Sequence, residues 1–265
     1  LGHVYIHDDL NELFTGSLNV GWTMTSQVLL QNLTSNLTSE EITALALSLK
    51  VASWCTLAGL VPALGLAWLL ARRQFWGKSL IEALVYLPMI LPPVVLGYLL
   101  LVLFGRQGAI GQWLAPLGIQ FAFHWTGAVL ASWVMSLPLF VQPIRLALQN
   151  IDIRLEQAAQ TLGASPIRTF MTVTLPLCTP AILMGAVLSF GRSLGEFGAT
   201  ITFVGNIEGE TRTLPLAIYT AIQSPDGETL ALRMVLLSII VALITLWLSQ
   251  LLARRSQARL GYRDV

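Results

Sequence analysis

Five stretches of this chain stay apolar for about the 20 residues that a helix needs to cross roughly 30 Å of hydrocarbon. They run from about Ile42 to Leu70, Leu80 to Phe104, Trp125 to Leu148, Leu177 to Thr200 and Leu230 to Ala253, and each predicts a membrane-spanning helix. Thr38 and Glu41 open the first at capping-box spacing, with the threonine oxygen accepting a helix-start N–H and the glutamate reaching back. Between the third and fourth runs lies a different pattern, "LEQAAQTLGASPIRTFMTVTLPLCTP" at residues 155 to 180, a polar helix-forming stretch closed by Leu175 and Pro176. Residues 201 to 229 are too polar in their middle to span and too long for a plain turn, and Leu214 to Ile222 predicts a short helix within them.

Composition agrees with the pattern. The 265 residues are 55% hydrophobic and 11% charged, with a mean hydropathy of +0.70; a soluble domain carries roughly 25% charged residues. The net charge of +1 is uninformative, because in a membrane protein the placement of Lys and Arg sets orientation. Arg72, Arg73 and Lys78 follow the first run, Arg145, Arg154 and Arg168 surround the polar helix, and Arg254, Arg255, Arg259 and Arg263 crowd the tail. The alternate loops hold Arg106, Arg212 and Arg233. The polar helix and the C-terminus are therefore expected in the cytoplasm, and five spans place the N-terminus outside. Trp68, Trp76, Trp113, Trp125 and Trp247 lie near run ends, as interfacial anchors do. Nucleic-acid binding has no support.

Nothing in the sequence points to catalysis. Cys55 and Cys178 sit in or beside apolar runs without partners for a disulfide or metal. His3, His7 and His124 do not converge, and His3 and His7 with Asp8 and Asp9 in a terminal arm make a poor metal site. Gly77-Lys78-Ser79 has the end of a phosphate-binding loop, but that motif needs a glycine where Arg72 stands. The first 23 residues lack the basic and apolar regions of a signal peptide, Met24 is an alternative start, and Asn32 and Asn36 fit a glycosylation pattern that matters only in a secretory eukaryotic setting. Residues 1–40 are expected outside the core, 41–255 as the membrane domain, and 256–265 as a cytoplasmic tail.

Candidate functional positions fall in three places. In the polar helix, Ala158 and Ala159 present small side chains, Gly163 follows the helix end and Pro166 restarts a turn. Such a helix suits close approach by another protein, and the competing reading is an amphipathic helix lying on lipid. In the second run, Pro88, Pro92 and Pro93 remove backbone donors, which is tolerated at membrane depth where the freed carbonyls face protein or a wet cavity. Arg192 and Glu196, four apart near the end of the fourth run, form either a structural ion pair or a gate or anion contact. Asn206, Glu208, Glu210 and Arg212 offer polar contacts to a docking partner, or a solvated loop without one.

The polar stretch also resembles a known family. Membrane subunits of ABC importers that work with a substrate-binding protein carry E-A-A, three residues, G, nine residues, I-x-L-P. This chain has Gln157-Ala158-Ala159, Gly163 and Val173-Thr174-Leu175-Pro176 at that spacing. Gln157 replaces the motif glutamate, with Glu156 beside it, and Val173 replaces isoleucine, so a salt bridge from the motif position is in doubt. "LPMILPPVVLGYLLLVLFGRQGAIG" from Leu87 and "GRSLGEFGATITFVGNIEGETRTLPLAIYTAIQ" from Gly191 look like the molybdate permeases, with sulfate permeases as near relatives; the likeness covers roughly residues 42 to 255.

The resemblance implies an all-α integral membrane protein of about five transmembrane helices, with a coupling helix near residues 152–171. That helix, through Glu156, Gln157, Ala158, Ala159, Gly163, Leu175 and Pro176, would dock on a separate ATPase subunit, present in two copies and holding the ATP and Mg. The chain itself would bind no cofactor, dimerise with itself in the cell inner membrane, and receive an oxyanion from a periplasmic or extracellular binding protein. Molybdate is the expected cargo, with tungstate or sulfate as alternatives. A secondary transporter would need midplane ionisable groups in repeated halves, and a lipid-embedded scaffold would leave the motif an accident.

Overall fold

The computed structural model describes residues 37–225 and 227–259, with side chains as far as Leu251. The expectations for the terminal arm, for Asn32 and Asn36 and for the tail beyond residue 259 lie outside the described residues. Helix α1 (Ser39–Arg72) starts on the expected capping box: Glu41 N donates to Thr38 Oγ1 and Thr38 N donates to Glu41 Oε2 at 2.7 Å. Its 34 residues make it about 51 Å long at about 1.5 Å per residue, well beyond the hydrocarbon thickness.

The second run differs from the single helix expected between Leu80 and Phe104. It is broken into α2 (Lys78–Ile90) and α3 (Pro93–Phe104), whose axes turn by 120°. Pro92 and Pro93 cannot donate, and a residue before proline is driven out of the helical region, so Leu91 (ψ 141°) and Pro92 (ψ 132°) are extended and Pro93 restarts the helix. A short turn, α4 (Gly111–Leu114), leads to α5 (Trp125–Asn150), capped by His124 Nδ1 accepting from Thr126 N. Then come α6 (Ile153–Thr161) and α7 (Pro166–Thr169), which winds through a wide turn at Phe170–Thr174 into α8 (Leu175–Leu194). The fourth run also stops earlier than Thr200: α8 ends at Leu194 and the chain resumes as α9 (Gly198–Val204). Helix α10 (Leu214–Gln223) and α11 (Glu228–Arg259) complete the described chain. Among the described residues, four helical stretches are long and apolar enough to cross a membrane alone, and the count is five when the bent pair α2–α3 is taken as one span.

Helix α5 is the central post: more than half of its apolar length is buried, whereas α11 buries about a tenth. Toward the Arg72 end, Ala63, Ala67 and Leu70 of α1 pack with Phe140, Ile144 and Leu148 of α5, joined by Val85 and Cys178. Toward the Thr38 end, Leu47 and Val51 meet Leu96, Leu100, Ala131 and Phe203. A smaller cluster of Ala44, Leu214, Ala217 and Met234 ties α1, α10 and α11 together. Lipid is as apolar as leucine, so association depends on close packing and interhelical hydrogen bonds. Both are present. Ser189 Oγ donates to Ser136 Oγ at 2.9 Å, with Cys55 Sγ 3.5 Å from Ser136, where α8, α5 and α1 meet. Gly97, with no side chain, lets α3 touch α9 directly: a Cβ there would lie 2.3 Å from Thr202 Oγ1 and 2.5 Å from Ala199 O.

That contact predicts a position-specific cost. Gly97→Val should lower the stability of the purified protein by about 1–3 kcal/mol through overpacking. Gly65→Val, where nothing lies within 4 Å, serves as the control. Equal thermal unfolding of the two variants in detergent would contradict the α3–α9 contact.

Candidate functional site

At the Arg72 end, the motif residues form a compact elbow. Asp152 Oδ1 caps α6 by accepting from Arg154 N at 2.9 Å. Gly163 follows with φ +90°, a left-handed conformation that side chains resist, which fixes a glycine at this turn. Ser165 then caps α7, with Pro166 in its first turn. The salt bridge placed in doubt by Gln157 exists one residue earlier. Glu156 Oε1 lies 2.8 Å from Arg72 Nη2 and accepts from Thr174 Oγ1 at 2.8 Å, tying α6 to the end of α1 and the start of α8. Gln157 and Ala158 face outward, Ala159 is half-buried, and Leu175 and Pro176 begin α8. No residue of α6 is buried. Ile153, Leu155, Ile167 and Met171 are exposed, and Leu162 is 90% exposed, so the elbow carries an unpartnered apolar surface beside basic residues.

The two helix breaks abut. A Cβ on Gly198, at the start of α9, would lie 2.8 Å from Pro93 Cβ at the start of α3. Glu196, in the gap between α8 and α9, has a side chain only 1% exposed; its Oε2 is 2.6 Å from Arg192 Nη1, and its Oε1 accepts from Ala199 N at 2.8 Å. One carboxylate thus neutralises the arginine and caps α9. Arg192 is 29% exposed and opens onto a 470 Å³ cavity between α8, α10 and α11, where its neighbours are apolar apart from Ser238 and Thr245. Of the proline candidates, Pro88 is buried within α2, Pro92 is exposed at the break and Pro93 is half-buried against Gly198.

At the Thr38 end, three of the four polar loop candidates, Asn206, Glu208 and Arg212, are drawn into one brace, and Glu210 turns to His124 instead. Arg212 Nη1 is 2.9 Å from Glu40 Oε1 and 3.3 Å from Glu208 Oε2, and its Nε donates to Asn206 Oδ1 at 3.0 Å. Asn206 Nδ2 donates to Thr220 Oγ1 at 2.7 Å. Glu210 Oε1 lies 3.2 Å from His124 Nε2. Below them Glu41, fully buried, pairs with Arg233 Nη2 at 2.9 Å, and Leu214 N donates to Ser48 Oγ at 2.7 Å. Sequence reasoning counted Arg72, Arg145 and Arg233 only as loop charges. The structure gives them buried or half-buried partners, Arg145 pairing with Glu82 at 2.7 Å. The one local signal was the capping glutamate Glu41. Among the described residues, no three His, Cys, Asp or Glu side chains group as metal ligands.

Broken spans around a central helix, with a capped polar elbow at one end, define a multi-pass helical membrane protein. Residues 63–257 match the family of the binding-protein-dependent transport system inner membrane component. The chain belongs to that family: it is a multi-pass membrane subunit of a transport system and not an enzyme. The molybdenum transport system permease protein ModB of Haemophilus influenzae is 57% identical over 226 residues, covering 85% of this chain and 99% of the relative. ModB of Mycobacterium tuberculosis is 43% identical over 204 residues, 77% of each chain. A bacterial ABC transporter involved in import of the acidic polysaccharide alginate shares the fold at TM-score 0.67 and 17% identity, over 94% of this chain and 98% of that one.

The geometry at Glu196 predicts a double-variant outcome. Arg192→Met should cost about 3 kcal/mol by stranding a buried carboxylate. Adding Glu196→Gln, whose amide oxygen still caps Ala199 N, should recover most of that stability and the transport with it. A double variant of wild-type yield that transports nothing would instead make Arg192 a pathway residue.

Proposed function

We propose that the chain is the membrane subunit of an ATP-driven importer that moves molybdate from a binding protein into the cytoplasm. The observation that carries this reading is the 57% identity to a molybdenum permease over nearly the whole of that relative, together with the exposed apolar elbow at the motif residues. In this reading α6 is the coupling helix. Glu156 anchors it to α1 and α8, so a pull on the elbow moves two spans together. Gln157, Ala158, Ala159 and Gly163 meet the ATPase, and Leu175 and Pro176 begin the span that carries the movement inward.

Two such chains work with two ATPase subunits, and ATP and Mg are held there rather than on this chain. The brace around Arg212 forms a platform at the outer mouth, where Glu208, 67% exposed, and the exposed edge of Asn206 and Glu210 meet the binding protein. The cargo is a dianion, and tight binding along the path would slow its exit. Arg192, neutralised by Glu196 at 2.6 Å, holds the α8–α9 break together and offers no trap for the cargo. Cargo choice among molybdate, tungstate and sulfate then rests with the binding protein.

The coupling reading separates folding from docking at Leu162. Its side chain touches almost nothing, so Leu162→Ser should leave thermal stability unchanged while weakening copurification with the ATPase and lowering molybdate uptake about tenfold. Full uptake by that variant would remove the elbow as the docking surface. Absence of molybdate uptake by the assembled wild type, with sulfate carried instead, would reassign the cargo.

Orientation has its own test. In a background lacking Cys55 and Cys178, a Ser165→Cys variant should react with a membrane-impermeant thiol reagent only in opened cells, and a Gly209→Cys variant should react in intact ones. The reverse pattern would invert the topology.

A further inference from the structure

Lys50 interrupts the first apolar run, and the structure gives it an unusual setting. It is exposed on α1, and its ammonium lies 3.7 Å from the centroid of the Trp125 ring; among the described residues no carboxylate lies within ion-pair distance of it. The charge pattern along α1 suggests its depth. At about 1.5 Å per residue, roughly 20 residues cover the hydrocarbon, and the uncharged stretch Val51 to Leu70 supplies them. With the hydrocarbon set on that uncharged stretch, Lys50 falls at its boundary on the Thr38 side, level with the Trp125 ring it stacks on.

Directly below Trp125 a 480 Å³ groove runs between α1 and α5. Its walls are almost wholly apolar, formed by Trp54, Ala58, Pro62, Trp125, Val129 and Trp133. It stays open because Gly59 brings α1 against Trp133, where a Cβ would lie 2.6 Å from the ring, while the small Ala58 leaves space beside the contact. The groove thus has an apolar length ending at Trp125, and the Lys50 ammonium stacked on that ring has no carboxylate partner among the described residues. Those features match one molecule: a phosphodiester on top and a hydrocarbon chain below.

We propose that this groove holds one phospholipid, its phosphate on the Lys50 ammonium and an acyl chain against Trp54 and Trp133. The lipid completes the α1–α5 packing at the Thr38 end, the same end at which Arg212 and Glu41 brace the loop.

The test uses the full chain purified in detergent, delipidated, and titrated with phosphatidylglycerol under native mass spectrometry. Wild type should retain one phospholipid, and dioleoylglycerol, which lacks the phosphate, should not be retained. Lys50→Gln should weaken retention about tenfold, the size of one charge-assisted contact, and Lys50→Arg should preserve it. Ala58→Trp fills an exposed wall of the groove, leaves Lys50 in place and should expel the lipid. Retention at the wild-type level by either Lys50→Gln or Ala58→Trp would overturn the proposal. So would disulfide linkage of two chains through an Ala58→Cys variant in a background lacking Cys55 and Cys178, which would give the groove to a second copy.

Discussion

Hydrocarbon offers no water to a peptide group, so every break in a spanning helix must find its hydrogen-bond partners inside the protein. This chain breaks two spans, at Leu91–Pro92 and at Gly195–Phe197, and the architecture follows from where the breaks are placed. They lie against each other, Pro93 touching Gly198, so neither faces lipid alone. Prolines at the first break have no N–H to strand. At the second, Glu196 supplies the missing acceptor to Ala199 N and holds its own charge against Arg192. A carboxylate at that depth is costly without a partner, and the arginine one turn away serves as that partner.

Around this centre the two ends of the bundle are built differently. At the Arg72 end one carboxylate, Glu156, links α6 to two spans, while the rest of the elbow stays exposed and apolar. Such a surface is held rigidly from behind and open in front. At the Thr38 end Arg212, Asn206, Glu40 and Glu208 form a network, and Glu41 with Arg233 buries a further ion pair beneath it. That end is braced across α1, the loop and α11, so it presents a fixed platform.

The spans, the capping box at Thr38 and the turn at Gly163 were legible in the sequence because each depends on neighbours in the chain. Hydropathy over about 20 residues reports lipid crossing, and glycine after a helix reports a left-handed end. The prolines of the second run were legible as missing donors, but not as a 120° bend, since many proline-containing spans merely kink. Helix α1 itself carries Pro62 and α5 carries Pro138 and Pro143 without breaking. What separates them is the consecutive pair Pro92-Pro93, which forces two extended residues in succession.

By itself the sequence determined that this is an all-helical membrane chain of about five crossings, with a polar helical stretch between the third and fourth runs and a paired spacing at Arg192 and Glu196. Tertiary structure decided which charges meet. Arg72 and Glu156 are 84 positions apart, and Arg233 and Glu41 are 192 apart. It also decided that Glu156, and not the motif position Gln157, anchors the elbow, because the side of α6 that faces α1 is set by how α5 and α8 deliver it. Propensity, capping and hydropathy act over one or a few turns. Ion pairs between helices depend on packing geometry, which no local pattern encodes.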